Sequence, residues 1–248
     1  MRLLSRIDLK SDRFIKSIQM EGLRNLGDPK VFADRYYKQG LNELIIVDCS
    51  ASWFGQKARF DIIKNITKDI YIPTIIGGGI QSLEDCEKFF SSGADKIIIN
   101  TGAINKPDLI DKITKKYGSQ SLSASIQYKV SNKNFELFKC FGRERVEINI
   151  KDWINEILSR GAGEIIFSCI EKDGTGSGFD ENILKLLQNI KINVPVLISG
   201  GFGKIDDLNI LKKYKKLVQG IIISKSFHYQ EIQVSKVGKI LRNKNLYG

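Results

Sequence analysis

A carboxylate and an amide end two similar segments of the sequence, and both residue types bear directly on chemistry. Asp8 lies near the end of the apolar run LLSRIDL (residues 3–9), and Gln127 ends the run LSASIQ (residues 122–127). A carboxylate can exchange a proton during a reaction, whereas a glutamine amide can only orient a ligand or hydrogen-bond to it. If the two segments are copies of one element, one copy retains a general acid–base group and the other does not.

Glycines and small polar residues follow other apolar runs and could hold anionic groups. Glycine lets backbone N–H groups approach a phosphate closely, and the N-terminus of a following helix favours negative charge. We predict a first phosphate site at Gly78, Gly79, Asn100 and Thr101. We predict a second one at Gly174, Gly200, Gly201, Ser224 and Lys225. A small-molecule substrate with a phosphate at each end would span the face between them.

Composition limits the class of protein. The 248 residues are 42% hydrophobic, which is enough for one substantial core. No apolar stretch has the length that a membrane-spanning helix needs, so we expect a soluble, cytoplasmic protein that does not bind membranes. The chain has four scattered cysteines and one histidine. We therefore expect no disulfide framework, no metal site and no cofactor.

The formal net charge of +11 suggests nucleic acid as a possible partner, but the placement of the lysines argues against it. They fall mostly in helical segments such as DLIDKITKKYG, opposite the apolar positions, as on a solvated surface. No basic stripe with interleaved aromatic residues accompanies them. We expect no nucleic-acid partner; a basic exterior also suits an acidic protein or an anionic substrate.

Short apolar runs alternate with amphipathic helical segments along the whole chain. The runs show no polar alternation, which is typical of strands covered on both faces in a parallel sheet. We predict strands at 3–9, 44–49, 72–76, 96–100, 122–127, 164–169, 194–199 and 220–224. We predict helices at 29–39, 58–68, 82–92, 107–117, 151–160, 180–189, 204–214 and 230–243. Eight such units favour a single α/β domain over residues 1–248, a (β/α)₈ TIM barrel, with a doubly wound open sheet as the alternative.

Two longer inserts interrupt this pattern, one after the first strand and one after the fifth. The second, KVSNKNFELFKCFGRERVE, has the pattern of a β-hairpin. Both would lie on the face of the barrel where active sites form.

The two halves of the chain resemble each other. YIPTIIGGGI (residues 71–80) aligns with NVPVLISGGF (residues 193–202), and NELIIVD (residues 42–48) aligns with GEIIFSC (residues 163–169). The separation stays close to half the chain length throughout, which indicates a barrel built from two duplicated half-barrels. The repeat also makes Asp8 and Gln127 equivalent positions.

The sequence resembles the HisF family, the cyclase subunit of imidazole glycerol phosphate synthase, over essentially its whole length. The stretches that carry the resemblance are RIDLK, LRNLGDP, ELIIVDCSAS, IIGGGI, ADKIIINTGAI, GAGEIIFSCIEKDGTGSGFD, SGGFG and SFHY. Of these, DGTGSGFD and ADKIIIN are the most specific to the family.

The resemblance implies a glutamine amidotransferase complex. In such complexes a HisH-like glutaminase docks on the N-terminal end of the barrel, and its ammonia passes through the barrel to a bisphosphorylated ribulosyl intermediate. The products are imidazole glycerol phosphate and an aminoimidazole carboxamide nucleotide. The family's ring of charged gate residues is matched by Arg2, Glu43, Lys96 and Glu164, and its aspartate facing the glutaminase by Asp95. Its substrate-side loops are matched by Lys16, Asp48, Glu171, Asp173 and Thr175.

The chemical end departs from the family pattern. The family uses two aspartates as general acid and base; Asp8 matches the first, but Gln127 stands at the second. Glu171 replaces an aspartate, and Lys225 stands where a small serine is usual. The single histidine, His228, matches a family position without acid–base duty, so we expect a structural role for it.

These departures leave three functions open. The first is an ammonia-conducting subunit that serves amidination of a glycan sugar, together with a separate sugar amidotransferase; HisF-like proteins of that branch resemble this chain. The second is a histidine-pathway cyclase with an altered acid–base pair. The third is a non-catalytic barrel that only scaffolds its glutaminase. Gln127 and the changes near it favour the first.

Overall fold

The computed structural model describes residues 1–54, 58–131 and 134–243. Eight parallel strands pair side by side around a closed ring. They are β1 (Arg2–Lys10), β4 (Glu43–Asp48), β5 (Thr74–Gly77), β6 (Lys96–Ile99), β7 (Leu122–Ser131), β10 (Glu164–Cys169), β11 (Val196–Ser199) and β12 (Gly220–Ile222). The pairing of β7 with β10 and of β12 with β1 closes the sheet. The predicted (β/α)₈ barrel is confirmed, and each predicted strand is present.

Helices lie between the strands on the outside of the barrel. They are α1 (Pro29–Lys38), α2 (Cys49–Phe54), α3 (Phe60–Thr67), α4 (Leu83–Ser91), α5 (Thr101–Asn105), α6 (Asp108–Tyr117), α7 (Ile150–Ser159), α8 (Glu181–Leu187), α9 (Ile210–Lys213), α10 (Lys225–His228) and α11 (Val234–Asn243). Short 3₁₀ helices span Ser119–Ser121 and Ile205–Asn209. Within the described ranges, none of the helices combines the length and apolar character needed to cross a bilayer.

Several helix starts follow from local chemistry. The carboxylate of Asp28 accepts the backbone N–H of Lys30, and Pro29 occupies the first turn of α1, where its missing N–H costs nothing. Ser82 and Asp85 form a reciprocal capping box at α4. The predicted helix at 204–214 is partly wrong, because it is a 3₁₀ turn followed by the four-residue α9.

Both inserts are β-hairpins that extend the barrel strands above its C-terminal end. β2 (Arg13–Ile18) pairs with β1 and with β3 (Glu21–Gly27), while β8 (Asn134–Lys139) pairs with β7 and with β9 (Glu144–Val146). The second hairpin was predicted. The sequence does not indicate the strands of the first hairpin, because β3 is largely exposed and lacks the apolar alternation of a half-buried strand.

The residues that the structure describes form three separate hydrophobic clusters. The largest lies between the strands and the helices. A second fills the barrel interior with Leu4, Ile45, Ile75, Ile98, Ile166, Leu197 and Ile222. A third lies at the C-terminal end and consists of Met20, Cys49, Phe138, Phe141 and Ile170. Burying each side chain of the second cluster contributes about 1.5–3 kcal/mol, so this inner layer stabilises the barrel while keeping its centre apolar.

The glycines after β5 and β11 confirm that the two halves correspond. A side chain on Gly78 would place its Cβ 2.2 Å from the carbonyl oxygen of Asp48, and one on Gly200 would lie 2.7 Å from that of Cys169. Asp48 and Cys169 are equivalent positions of the sequence repeat. Both glycines also have positive φ, 125° and 99°, so each half needs glycine here for the same backbone packing.

Candidate functional site

Four charged side chains form a ring at the N-terminal end of the barrel. Arg2 bridges both carboxylates: its Nη1 lies 2.7 Å from Glu43 Oε1, and its Nη2 pairs with Glu164. Lys96 Nζ completes the ring, 3.6 Å from Glu43 Oε2 and 3.7 Å from Glu164 Oε2. Charges alternate around the ring, so the two positive and two negative groups balance each other.

A serine hydroxyl and the pairing of its own charges support the ring. Ser123 Oγ donates a hydrogen bond of 2.7 Å to Glu164 Oε1 inside the barrel. Burial alone would lower the pKa of Arg2, but the two carboxylates outweigh it and raise that pKa, so the guanidinium stays charged. Beside the ring, Asp95 is exposed and accepts hydrogen bonds from the backbone N–H and hydroxyl of Thr74.

At the opposite end, Asp8 is buried against an arginine of its own strand. Arg6 Nε donates a hydrogen bond of 2.6 Å to Asp8 Oδ1, and the side chains are 11% and 8% exposed. The thiol of Cys49 lies 3.5 Å from the same oxygen. Burial and the charge of Asp8 raise the pKa of that thiol well above its usual value, so Cys49 stays protonated.

Gln127 is tied to the turn of the second hairpin. Its Oε1 accepts a hydrogen bond of 2.9 Å from the backbone N–H of Gly142, between β8 and β9. A side chain on Gly142 would place its Cβ 2.9 Å from Met20 Sδ, at the turn of the first hairpin. Gln127 therefore helps to seat the two hairpin turns against each other above the barrel.

Arg6 and Phe141 lie at the centre of this mouth and line two adjacent cavities. The Arg6 guanidinium carbon lies 5.5 Å from the centre of the Phe141 ring. One cavity contains Gln127, and the other contains Asp8. The sequence motifs predict neither residue as part of the site. The available signal for Arg6 was a charged residue two positions before Asp8 in an apolar strand, where side-chain alternation turns both to the same face.

The first predicted phosphate site lies in one of these cavities. Gly78, Gly79, Asn100 and Thr101 line it together with Arg6 and Gln127. The side chain of Asn100 donates to the carbonyl oxygens of Ser125 and Phe138, at 3.0 and 3.3 Å. Thr101 Oγ1 accepts the backbone N–H of Cys140. These bonds attach the second hairpin to the rim of the cavity.

The second predicted phosphate site is less compact. Ser224 lines the cavity of Asp8, Lys16 and Asp173, but Gly174, Gly200, Gly201 and Lys225, although all described, do not line it. Lys225 Nζ is paired with Glu231 Oε1 at 2.5 Å. The positive charge that we assigned to a second phosphate is therefore already balanced within the protein.

The chain matches the family model described as "Histidine biosynthesis protein" over residues 2–233. Among curated proteins it is similar to imidazole glycerol phosphate synthase subunit HisF of Helicobacter hepaticus, with 34% identity over 99% of this chain and 96% of that one. The chain belongs to the HisF family. The subunit HisF of Legionella pneumophila is 39% identical over 84% of this chain and 98% of its own length. That of Thermococcus onnurineus is 33% identical over 99% and 96%.

These names bear on the three functions left open by the sequence. All three relatives are named as imidazole glycerol phosphate synthase subunits, and none of these names mentions sugar amidination. The preference for a glycan sugar thus finds no support here, and the histidine-pathway alternative fits the HisF names better.

The substrate-side residues of this HisF-family chain divide into two groups. Lys16 is 3% exposed and lies 2.8 Å from both carboxylate oxygens of Asp173 beside the Asp8 cavity. Asp48, Glu171 and Thr175 are turned elsewhere. Asp48 accepts the backbone N–H groups of Ser50, Ala51 and Arg59.

Glu171 and Thr175 also bond to the backbone around them. Glu171 Oε2 accepts the N–H of Val130 at 2.7 Å, and Thr175 Oγ1 donates to the carbonyl of Lys172 at 2.9 Å. Glu171, whose side chain is one methylene longer than that of an aspartate, therefore bonds to β7 at the base of the second hairpin. Assigning Asp48, Glu171 and Thr175 to the substrate is not supported by these contacts, because their side chains are occupied by backbone groups.

His228 is built into the wall behind β1. Its Nδ1 lies 2.5 Å from the Tyr36 hydroxyl, and its ring packs edge-on against Phe14. Burial, with the charges of Lys16 and Arg35, lowers its pKa well below the usual value, so the ring is neutral.

Proposed function

We propose that this chain is the ammonia-using synthase subunit of a glutamine amidotransferase, with the cyclase reaction of imidazole glycerol phosphate synthase. The observation that carries the proposal is the order of layers along the barrel axis. A ring of paired charges at the N-terminal end is followed by the seven-residue apolar layer, and then by a polar mouth with Asp8 and Arg6.

The apolar layer suits passage of neutral ammonia. Moving an ammonium ion into such surroundings would cost several kcal/mol or more, whereas a neutral molecule pays far less. Ammonia generated at the N-terminal end would therefore cross as NH₃ and reach the mouth as a nucleophile. The paired ring would have to loosen to admit it, which makes the ring a gate.

A glutaminase of the HisH type fits the N-terminal end. Exposed Asp95 next to Lys96 offers a carboxylate to a docking partner, and rearrangement of Lys96 on docking would open the ring. Lys96 is the most weakly held member, with both of its ion pairs longer than 3.5 Å. Opening at Lys96 would leave the pairing of Arg2 with its carboxylates in place.

Asp8 is the general base of the proposed reaction. Its Oδ1 is fixed by Arg6, and its Oδ2 has no hydrogen-bond donor in the part of the chain that the structure describes. It faces the cavity that also holds Lys16 and Ser224. One substrate phosphate would bind at Gly78, Gly79, Asn100 and Thr101, and the other beside Ser224.

The test supplies ammonium and the bisphosphorylated ribulosyl intermediate to the purified chain and measures imidazole glycerol phosphate. We expect turnover with ammonium alone. Glutamine should replace ammonium only when the cognate HisH-like glutaminase is added. A chain that binds the intermediate but forms no product in either assay would contradict the cyclase function.

Amidination of a sugar is the second candidate, and Gln127 is the observation that favours it. In that case the barrel would conduct ammonia to a separate sugar amidotransferase without closing a ring. The wild-type chain would then form no imidazole glycerol phosphate. Gln127→Asp would restore some turnover by supplying the second carboxylate, with a ceiling of about 10²–10⁴-fold. Turnover by the wild type at a rate ordinary for enzymes would exclude this candidate.

A further inference from the structure

A buried arginine at the barrel mouth has unused hydrogen-bonding capacity. Arg6 is 9% exposed, and its Nε is bonded to Asp8. Its terminal Nη1 and Nη2 carry four N–H groups, and none of them donates a hydrogen bond to another residue that the structure describes. Because Arg6 lines two cavities at the mouth, these N–H groups are placed to donate to a ligand bound there.

The position of Arg6 shows what kind of ligand atom it would meet. The guanidinium lines both the cavity of Gln127 and Gly78 and the cavity of Asp8 and Ser224. It therefore lies between the two predicted phosphate sites, where the middle of a substrate with two terminal phosphates would be. It also lies directly above the apolar layer, since Leu4 of that layer is two residues earlier on β1.

We propose that Arg6 is a catalytic residue that holds the substrate's carbonyl oxygen and stabilises the oxyanion formed when ammonia adds to it. This inference rests on the proposed function and names the group that performs its first step. Preorganised N–H donors directed at a developing oxyanion in a water-poor site are a large source of rate enhancement.

The step balances with groups already present. The nitrogen lone pair of ammonia forms the C–N bond, and the π electrons of the carbonyl move to oxygen, which Arg6 Nη–H groups stabilise. Asp8 Oδ2 accepts the proton released from nitrogen. The result is a neutral amino group beside an oxyanion paired with a guanidinium, and no oxidant or further reactant is needed.

Arg6 is better suited to this role than Gln127. The Gln127 oxygen is occupied by the Gly142 N–H, and its amide nitrogen carries no charge. A guanidinium donates charge-assisted hydrogen bonds that are roughly twice as strong as neutral ones. The Asp8 contact fixes the orientation of the Arg6 fork before the substrate arrives.

The experiment compares Arg6→Ala with wild type, using ammonium as the nitrogen source so that the glutaminase is not involved. We expect kcat to fall about 10²–10³-fold, as on removal of one oxyanion donor, with a smaller change in KM. Guanidinium chloride at millimolar concentration should restore part of kcat in Arg6→Ala. Arg13→Ala is the matched control, because Arg13 is 60% exposed and lies outside both cavities.

Infrared spectroscopy of the bound substrate, labelled with ¹³C at its carbonyl, provides a readout that does not require turnover. Wild type should shift the carbonyl band to lower frequency, and Arg6→Ala should return it to the position seen in solution. If Arg6→Ala does not fold, Arg6→Lys retains the charge beside Asp8 but loses the fork. It should lose kcat and most of the band shift.

The two readouts separate the proposals. A wild type that forms product, with Arg6→Ala or the folded Arg6→Lys equal to it in kcat and band position, would overturn the role of Arg6 and leave the function intact. A shifted band without product would overturn the cyclase function and support Arg6 as the carbonyl receptor. Absence of substrate binding would overturn both.

Discussion

Two arginines on one strand show how the ends of this barrel differ. Arg2 and Arg6 both point into the barrel from β1, four residues apart. Arg2 gives its terminal nitrogens to two carboxylates, Glu43 and Glu164. Arg6 gives only its Nε to Asp8 and leaves its terminal nitrogens to the cavity. Arg2 is therefore held between two carboxylates at the entrance, whereas the terminal nitrogens of Arg6 are available to a ligand.

The carboxylates of the N-terminal ring are paired with cations without any ligand, whereas the mouth leaves groups available to one. In the ring, each carboxylate has two cations near it, so its charge is balanced without any ligand. At the mouth, Asp8 has one cation, and the amide of Gln127 contributes no charge. Substitutions at the two ends of the barrel should therefore affect different properties of the protein.

The largest effect is expected at Asp8. Asp8→Asn removes the only carboxylate of the predicted pair and should lower ammonium-dependent turnover about 10²–10⁴-fold, the usual worth of a general acid–base group. The measurement is kcat with ammonium over a range of pH. Asp12→Asn is the control, since Asp12 is 59% exposed and close in sequence. An Asp8→Asn variant with wild-type kcat would remove Asp8 from the mechanism.

The next effect is expected at the ring and should leave the mouth unchanged. Lys96→Ala removes the weakest pairs of the ring and should reduce coupling to the glutaminase by about 5–150-fold, the range of typical coupling free energies. The readout is the ratio of glutamine-dependent to ammonium-dependent turnover. Lys112→Ala is the control, because Lys112 pairs with Asp108 on the exposed face of α6.

A Lys96→Ala variant that retains the wild-type ratio would show that the ring does not gate ammonia. If the ammonium-dependent turnover of Lys96→Ala falls as well, the ring also affects the chemistry at the mouth. The two ends of the barrel would then not act independently, although the comparison of Arg2 with Arg6 implies that they do. Glu164→Ala is a harsher test of the same ring, because it also removes the acceptor of Ser123 and one of the two carboxylates paired with Arg2.

The sequence predicted the barrel well because its evidence is local and periodic. Apolar runs such as residues 164–169 are buried at every position, and the matched glycines after β5 and β11 establish the repeat. The site was harder, because residue type does not reveal which way a side chain turns. Asp48 and Glu171 have the right chemistry, but backbone N–H groups take their carboxylates.

Conversely, Arg6 and Phe141 could not be found from motifs. Phe141 reaches the barrel centre only because residues Cys140 and Phe141 adopt positive φ, 51° and 56°, in the turn that Gln127 holds. Nothing in the spacing of the second hairpin indicates that its turn folds inward. The inward position depends on tertiary packing, since Phe141 lies in one hydrophobic cluster with Met20 of the first hairpin.

A pH-dependent effect is expected behind the mouth end of β1. The pKa of His228 is lowered in the folded protein, so between that value and the usual value near 6.5 the unfolded chain binds the additional proton. Stability should therefore fall as the pH drops below about 6.5, by at most about 1.4 kcal/mol per pH unit from this group. His228→Gln should flatten that slope.

The measurement is the free energy of unfolding from urea titrations at several pH values. The control is Tyr36→Phe, which removes the hydroxyl partner of His228 but leaves its buried ring in place, so the slope should persist. Equal slopes for wild type and His228→Gln would show that His228 is protonated in the folded protein. The neutral state assigned to the His228 ring would then be wrong.

The smallest effect is expected at Lys225. Like Arg2, this lysine is paired with a carboxylate, but like Arg6 it lies at the C-terminal end of the barrel. Glu231→Gln removes the carboxylate 2.5 Å from Lys225 Nζ and leaves a cation free for a phosphate. Both side chains are about one-third exposed, so solvent screens the pair and the gain should be about 0.2–1 kcal/mol. This corresponds to a decrease in substrate KM of at most about fivefold, while kcat stays the same because Asp8 and Arg6 are untouched.

The reverse change, Lys225→Ser, should leave KM nearly unaltered in the wild-type background, since the lysine is already neutralised. If Lys225→Ser instead raises KM tenfold or more, Lys225 leaves Glu231 to bind the substrate, and the second phosphate site includes it as the sequence predicted.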